Sequence, residues 1–462
     1  MTSVGACRHD DEKADDHDDE DRGSDHDPLR GSEHGGTAWA TGSGRTAPSH
    51  SEYMPAVVED CHKAVDKEHD VDVCNRAIRA SLTFLVGTAL LVGCADADLQ
   101  APSASGWTRV ADSPLSPRFG ALAFWVDDRI VITGGSDGRP CPPNADCAPS
   151  TTPPLRDGAA FDPATGGWHD IASAPVALEG ASTAILDDMV YLLIRGSDWV
   201  PGSAPAFVAY DARRDRWLDL PLPPDGKDTG LILAAAGDQV IAYQGSQENG
   251  VAHDLVFDPL DETWSELPPD PLIRSFDRTM VWTDAGLVLF GIEDVPQPGS
   301  IEPALYRAAV IDLETLKWRR LPDSEVVGYE PAWFWSGGQV VNPTLGTSDG
   351  GEVNGWGRSY PHGGMLEPKR GMWSALPDAP PSSGYPGVSL AGDDYVVSLM
   401  GAVLHAPSGT WFELPPPPGS AGEGQAITWA GDSLFVWGGV RWDGDEPSIV
   451  SDPWLWRPPG ER

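Results

Sequence analysis

The sequence predicts an all-β fold in which seven small antiparallel sheets close into a ring. Three observations point to it. A segment ending in tryptophan recurs six times with constant spacing, a hairpin signal precedes each copy, and the two ends of the repeated region carry complementary halves of a seventh copy. Glycine, proline and tryptophan are abundant while long apolar helical stripes are missing, which is typical of short strands joined by many turns.

Each repeated segment runs from an apolar residue to a tryptophan seven positions later, with Ile or Leu three positions beyond. Asp usually follows the apolar residue, often with Pro after it, as in a type I turn, so the apolar residue ends a third strand and Trp begins the fourth. Trp and the aliphatic residue lie on opposite faces of that strand, so both faces must be buried between neighbouring sheets. The copies are FDPATGGW at 161, YDARRDRW at 210, FDPLDETW at 257, IDLETLKW at 311, LEPKRGMW at 366 and LHAPSGTW at 404.

A first hairpin precedes each of these outer hairpins. Most of its second strands end in glycine, which suits a sharp turn in a crowded place. Seven such hairpins stand against six outer ones. Their joints are VDDR at 126, LDDM at 186, AGDQ at 236, TDAG at 283, SGGQ at 336, AGDD at 391 and AGDS at 430.

The two ends of the repeated region supply the missing outer hairpin. Trp107 and Val110 have the Trp-to-aliphatic spacing with no third strand before them, and IVSDP at 449–453 has the apolar-Asp-Pro end of a third strand with no fourth strand after it. We expect the strand at Trp107 to complete the last sheet and close the ring, which removes exposed sheet edges. The unit ending at Trp411 is short and residues 330–372 lack a clean Gly-Gly strand, so a six-bladed ring is the alternative.

The period of about 50 residues is that of kelch repeats. The Gly-Gly strand end, the Asp-Pro turn, the Trp and the following Leu-Pro resemble kelch motifs and the propeller of galactose-oxidase-type proteins, over residues 107–456. The resemblance implies a β-propeller, which we assign to residues 107–458. Copper-radical oxidases of this fold use a Tyr–Cys crosslink and two copper-binding histidines, whereas the histidines here are scattered over different repeat positions. We therefore predict no metal and no cofactor.

An export signal precedes the predicted propeller. Residues 80–93, ASLTFLVGTALLVG, form an uncharged apolar run behind Arg76 and Arg79, too short to span about 30 Å of hydrocarbon but suited to a signal peptide. LVGC at 91 resembles the lipobox of bacterial lipoproteins, which implies that Cys94 is lipidated and becomes the mature N-terminus. We predict a signal peptide at 71–93, a tether at 94–106, and an extracytoplasmic protein anchored to the bacterial cell membrane.

Residues 1–70 form a charged extension that includes HDDEKADDHDDEDRGSDHD. It has too little apolar surface to offset the entropy of ordering, so we predict that it is disordered. We also predict that translation begins near Val71 or Val73, so that this extension is not made. Reading the Asp/His tract as a metal-binding tail is disfavoured because metal sites need a fixed geometry.

Charge and cysteine usage restrict the partners. The formal net charge of −39 disfavours nucleic acid, because an acidic surface repels phosphate. We expect the protein to contact the membrane only through the lipid anchor and to be a monomer.

Cys141 and Cys147 flank a short loop and should form a disulfide in an oxidising compartment.

The predicted ligand site lies on the loop-rich face, formed by the loops between second and third strands and between successive sheets. These loops carry arginines that suit carboxylate, sulfate or phosphate groups, and aromatic residues that suit sugar rings or protein hot spots. Without a recognisable catalytic motif, we predict a binding module for a protein or carbohydrate, with a carbohydrate-active enzyme such as a sugar epimerase as the alternative. The candidates are Arg118, Arg139, Arg195, Arg274, Arg278, Arg358, Tyr360, His362, Tyr385, Arg441 and Trp442.

A structural explanation of these arginines competes with the ligand hypothesis. Each guanidinium would then pair with a neighbouring carboxylate such as Asp137, Asp277 or Asp443.

Overall fold

A computed structural model describes residues 106–459, apart from gaps at 144, 146, 149–151, 179, 197–203, 225–229, 295–303, 328–329, 346–360, 381–382 and 420. The described residues form strands and no helices, and all lie in one compact unit. Within these ranges no helix has the length and apolar character needed to cross a bilayer. Cys94, the export signal and the acidic extension lie outside the described residues.

The strands form seven four-stranded antiparallel sheets, here called blades 1 to 7, and the first strand of the chain, β1 (Trp107–Arg109), belongs to the last of them. Blades 1 to 3 comprise β2 (Leu122–Val126), β3 (Arg129–Thr133), β4 (Gly158–Asp162), β5 (Gly167–Ile171), β6 (Ala181–Leu186), β7 (Met189–Arg195), β8 (Pro205–Asp211), β9 (Arg216–Leu220), β10 (Leu231–Ala236), β11 (Gln239–Gln244), β12 (Leu255–Asp258) and β13 (Thr263–Glu266).

Blades 4 to 6 continue the same order, with strands that shorten along the chain. They comprise β14 (Ser275–Thr283), β15 (Gly286–Glu293), β16 (Tyr306–Asp312), β17 (Lys317–Arg320), β18 (Phe334–Ser336), β19 (Gln339–Asn342), β20 (Gly364–Glu367), β21 (Met372–Ser374), β22 (Leu390–Ala391), β23 (Tyr395–Val397), β24 (Ala402–His405) and β25 (Thr410–Glu413). The last segments are β26 (Ala426–Ala430), β27 (Ser433–Trp437), β28 (Val440–Asp443), β29 (Glu446–Ile449) and β30 (Trp454–Trp456).

Blade 7 joins the two ends of the repeated region. Its strand order is β26, β27, β30 and β1, and Trp107 pairs with Trp456 across the outermost ladder. The N-terminal strand therefore completes the last sheet. The seven-bladed prediction is confirmed and the six-bladed alternative is wrong.

The third strand of blade 7 differs from its prediction. IVSDP at 449–453 was expected to end that strand, but Ile449 ends β29 in a separate hairpin with β28, and the other four residues form the loop before β30. The reason is that β30 and β1 are not consecutive in the chain, so no Asp-Pro turn is needed between them. Trp456 occupies the place that an apolar residue has in the other six copies.

The outer hairpins explain the constant spacing of the repeat. Phe257 pairs with Trp264, and the corresponding residues pair in the other copies. In blade 1 the Asp162 carboxylate accepts hydrogen bonds from the amides of Ala164 and Thr165, at 2.8 and 3.3 Å, which fixes the turn. The residue two positions before each Trp has a positive φ; these residues are Gly166, Asp215, Glu262, Leu316, Gly371 and Gly409.

The tryptophans also join each blade to its neighbour. Each indole N–H donates to the carbonyl oxygen four positions after the Trp of the preceding blade. Trp264 bonds Pro221 at 2.8 Å, and Trp107 bonds Pro415 at 2.7 Å across the seam between blades 6 and 7. The remaining pairs are Trp168–Ala111, Trp217–Ala172, Trp318–Pro268, Trp373–Pro322 and Trp411–Pro377. All seven joints of the ring therefore share one contact.

The hydrophobic core lies between blades. Val190, Leu192 and Ile194 of β7 pack against Phe124 and neighbouring residues of blade 1, while alternate residues of β7 face blade 3. Both faces of each sheet are buried, as the opposite positions of Trp and the following aliphatic residue predicted.

Candidate ligand-binding face

The meander places two sets of loops at the same end of the ring. In an antiparallel sheet the loop after the second strand and the loop leaving the fourth lie at one end, and the other two turns lie at the opposite end. With the gaps given above, the loop-rich face comprises residues 134–157, 196–204, 245–254, 294–305, 343–363, 398–401 and 438–453 within blades, and 110–121, 172–180, 221–230, 267–274, 321–333, 375–389 and 414–425 between blades.

Arg118 is buried within this face, with 1% of its surface exposed. Its guanidinium donates to both carboxylate oxygens of Asp157, at 2.7 and 3.0 Å, and to the carbonyl of Gly134. The hydrogen bond from Arg118 holds the pKa of the Asp157 carboxyl below its usual value. This arginine supports the first blade from inside and presents no free guanidinium surface to a ligand.

Arg278 has the same character at the junction of blades 3 and 4. It is 1% exposed and donates to Asp254 at 2.8 Å, to Asp270 at 3.0 Å and to the carbonyl of Gln244 at 2.8 Å. Burial raises the pKa of the Asp270 carboxyl, which the nearby guanidinium opposes. The buried position of Arg278 therefore does not support its predicted role in ligand binding.

The exposed arginines differ from one another. Arg274 pairs with Asp294, and its Nε lies 2.9 Å from the carboxylate. Arg139, in the loop after β3, and Arg195, the last residue of β7, are both exposed. Among the described residues no ion pair uses Asp137, Asp277 or Asp443, the neighbours expected in the structural explanation. The arginines that are neutralised reach carboxylates distant in sequence instead.

Arg441 and Trp442 lie together on the hairpin of β28 and β29, which projects from blade 7. Arg441 is exposed and donates to the carbonyl of Gly419. Trp442 is half-buried, and its indole N–H donates to the Glu423 carboxylate at 3.2 Å. Both partners belong to the loop that enters blade 7, and backbone bonds between Val440 and Glu423 fix the hairpin against it.

Arg441 forms no ion pair with any residue in the described part of the chain. An exposed guanidinium held by a carbonyl keeps its charge available for an anionic group, and the fixed indole of the next residue adds a flat surface to the same hairpin. This pair is the best-organised member of the predicted ligand set.

The remaining candidates do not converge on that pair through described contacts. His362 is half-buried in the loop before β20. Tyr385 packs edge-on against Trp107, with ring centroids 6.2 Å apart, and burial raises the pKa of its phenol. Arg358 and Tyr360 lie outside the described residues.

Cys141 and Cys147 are joined by a disulfide within the loop-rich face, with Cα atoms 5.8 Å apart. Among the described residues no group of three His, Cys, Asp or Glu side chains is arranged to hold a metal ion.

The structure also shows features that the sequence analysis missed. A cavity of about 520 Å³ opens at the opposite end of the ring, where the first hairpins of blades 1 and 2 meet; it is lined by Trp125, Val126, Asp127, Asp128, Asp187, Asp188 and Arg213. The sequence signal for this cavity was the Asp-Asp pair that recurs in VDDR and LDDM. A second feature is Asp277, whose backbone has a φ of 48° inside a strand. No sequence signal marks that conformation.

Comparison with known proteins supports the architecture. The kelch-like protein terF of Aspergillus terreus is 26% identical over 232 residues, which cover 46% of this chain and 48% of that protein. N-acetylneuraminate epimerases of Brucella melitensis and Vibrio vulnificus are 26% identical over 334 residues and 25% identical over 337 residues. These alignments cover 60% and 67% of this chain, and 79% and 81% of the epimerases.

No protein-family model matches the chain. The chain spans about half the length of the Aspergillus relative and most of the length of the epimerases. The kelch motifs, the closed ring and these relatives agree, and the chain is a seven-bladed β-propeller of the kelch type.

Proposed function

We propose that the loop-rich face binds a carboxylated sugar of the N-acetylneuraminate class. The relatives that align with most of the propeller are named for that sugar. The exposed guanidinium of Arg441, which forms no ion pair among the described residues, is the observation that carries the proposal, and the fixed indole of Trp442 follows it on the same hairpin. Guanidinium groups match carboxylates in geometry and charge, and indole rings pack against the apolar faces of sugar rings.

The overall charge of the protein makes this local arrangement informative. With a formal net charge of −39 the chain repels anions at long range, so a carboxylated ligand needs a local cation for binding. Arg274 is neutralised by Asp294, and Arg118 and Arg278 are buried against carboxylates. Arg441 supplies that local cation.

Titration calorimetry of the full chain tests the proposal. We expect N-acetylneuraminic acid to bind and the neutral sugar N-acetylmannosamine to bind far more weakly. Arg441→Ala should weaken binding of the acid by about 10- to 100-fold, since hydrogen bonds to charged groups contribute about 1.5–3 kcal/mol. Arg370→Ala is the matched control, because Arg370 is an exposed arginine in an outer turn at the opposite end of the ring. Equal affinity for both sugars, or an equal loss in both variants, would contradict the proposal.

A second candidate function is interconversion of the anomers of such a sugar. The alignment with N-acetylneuraminate epimerases over most of their length favours it. Proton NMR of the sugar, with and without the full chain, distinguishes the two candidates. Exchange between the anomer signals should accelerate if the protein is an epimerase, and should keep its solvent rate if the protein only binds.

We also propose that the protein is an extracytoplasmic lipoprotein anchored through Cys94, and that it is monomeric and binds no nucleic acid. The lipid anchor is supported by the apolar run at 80–93, which Cys94 follows immediately. Expression in bacteria with a clickable palmitate analogue should label the full chain and leave Cys94→Ala unlabelled. Label in both proteins would contradict lipidation at Cys94.

A further inference from the structure

Asp277 has a backbone conformation that its residue type rarely adopts. It lies near the start of β14, the innermost strand of blade 4, at the loop-rich end of the ring. Its φ is 48°, and the other non-glycine residues with positive φ in the described part of the chain are all in hairpin turns: Asp127, Asp128, Asp187, Asp215, Glu262 and Leu316. Among the described residues, Asp277 is the one such residue within a strand.

The strain arises at a β-bulge. The pairing of β14 with β15 shifts between Phe276 and Thr279, so two residues of β14 face Gly291 alone. Glycine is the usual residue at a left-handed bulge position, and an L-residue there costs about 1–2 kcal/mol. Bulges of this kind re-aim side chains, and they are over-represented next to active sites. An aspartate is therefore held where glycine would be favoured.

Among the described residues none gives the Asp277 carboxylate a counter-charge, although two arginines flank it closely in sequence. Arg274 turns to Asp294, and Arg278 turns inward to Asp254 and Asp270. In the described part of the chain, the side chain of Asp277 has no ion pair and accepts no hydrogen bond. A carboxylate with both lone-pair sets free is available to accept a proton.

The surroundings of Asp277 are partly dry and negatively charged. Asp277 itself is half-buried; burial raises the pKa of its carboxyl, and the charge of Glu248 raises it further. Tyr306 is fully buried, donates to the carbonyl of Glu330 at 3.0 Å, and has its phenol pKa raised by burial and by the charges of Asp277 and Glu330. Of the flanking arginines, Arg278 lies on the same strand and Arg274 lies in the loop just before it, and both pair with other carboxylates.

We propose that Asp277 is the proton-transfer residue of a sugar site on the loop-rich face. The proposal rests on the second candidate function, anomer interconversion. Asp277 accepts the proton of the anomeric hydroxyl, the bond between the anomeric carbon and the ring oxygen breaks, and the ring oxygen takes a proton from water. After rotation the ring oxygen attacks the other face of the carbonyl and returns its proton to the hydroxide that the water had become, while the new anomeric oxygen regains the proton from Asp277. Nothing is oxidised or reduced.

The test compares full-chain wild type with Asp277→Asn, using N-acetylneuraminic acid as the probe. Asparagine has the same shape and also tolerates positive φ, so the bulge should be kept. General acid–base groups contribute about 100- to 10,000-fold. We therefore expect Asp277→Asn to lose anomer exchange by a factor in this range while its affinity for the sugar changes by less than about threefold.

Glu248→Gln provides a second readout. Removing this neighbouring negative charge should lower the pKa of Asp277, so the rise of activity with pH should move to lower pH without loss of the maximal rate. A merely structural role for Asp277 would not produce such a shift.

The outcomes separate this inference from the function on which it rests. Accelerated exchange in wild type and undiminished exchange in Asp277→Asn would overturn the role of Asp277 and leave the epimerase function standing. Loss of sugar binding in Asp277→Asn would also overturn it, because the residue would then act in binding. Binding by wild type with no acceleration at any pH would overturn both the epimerase function and the inference.

Discussion

The outer edge of the ring and its loop-rich face follow different rules. At the outer edge one contact recurs seven times, from a tryptophan indole to a carbonyl of the preceding blade. On the loop-rich face the described arginines differ in their surroundings: Arg118 and Arg278 are buried against carboxylates, Arg274 pairs at the surface, and Arg441 is held by a carbonyl. The contact that recurs at every joint serves the packing that all blades share, whereas the arginine contacts that differ between blades serve local roles.

This difference has a physical origin. Each blade must bury both faces against its neighbours, so the residues at the joints face the same packing problem seven times. The loops have no such shared constraint, because their backbone lies at the surface. Residue type alone therefore predicts a role at the outer edge and fails to do so on the loop-rich face.

The largest effect should follow from Arg278→Met. The substitution leaves the carboxylates of Asp254 and Asp270 buried without their cation, and breaking a buried pair in this way costs about 3–5 kcal/mol. Urea unfolding measures it. Arg274→Met is the matched control, since its ion pair is exposed and should contribute less than about 1 kcal/mol. Similar losses in both variants would show that burial does not separate these arginines.

Trp107→Phe should have the next largest effect. It removes the N–H that bonds Pro415 across the seam closing the ring; this hydrogen bond is partly buried, so the loss should lie near the lower end of the about 1–3 kcal/mol that an unsatisfied buried acceptor costs. Trp264→Phe breaks the equivalent bond at an exposed position, so the solvent can replace it and the loss should be smaller. Thermal unfolding of both variants compares the closing seam with an ordinary joint. A greater loss in Trp264→Phe would contradict a special role for the seam.

Leu316→Gly should stabilise the protein by about 0.5–1 kcal/mol. Leu316 has a φ of 53° in the outer turn of blade 4, where glycine stands in blades 1, 5 and 6, and about half of its surface is exposed. Glycine removes the steric cost of the left-handed conformation in the folded protein. This gain outweighs the stability lost because glycine raises the conformational entropy of the unfolded chain. Thr315→Gly, one position earlier, should destabilise the protein instead. Urea midpoints for the two variants should move in opposite directions.

Arg441→Ala should have the smallest effect on folding. Its side chain is exposed and its described partner is a loop carbonyl, so the free energy of unfolding should change by less than about 0.5 kcal/mol. The same variant should lose affinity for a carboxylated sugar. A loss of stability comparable with that of Arg278→Met would place Arg441 among the structural arginines and contradict the proposed ligand role.

The sequence by itself determined the blades. Phe257 and Trp264 form a cross-strand pair because a four-residue turn, whose last residue is left-handed, joins the next pair of residues, and a constant spacing carries that information directly. The same reasoning predicted that the strand at Trp107 completes the ring. It misplaced the third strand of blade 7 because that strand, β30, is followed by no hairpin turn.

Only the tertiary structure decided which arginines are exposed and which carboxylates are free. Arg278 reaches Asp254 in the preceding blade, and adjacent Asp277 has no ion pair with any residue that the structure describes. A guanidinium pairs with the carboxylate that is nearest in space, and in a ring of stacked sheets that carboxylate comes from another loop or blade. The strained backbone of Asp277 is likewise imposed by the two-to-one pairing of β14 with β15, which local sequence preference does not encode.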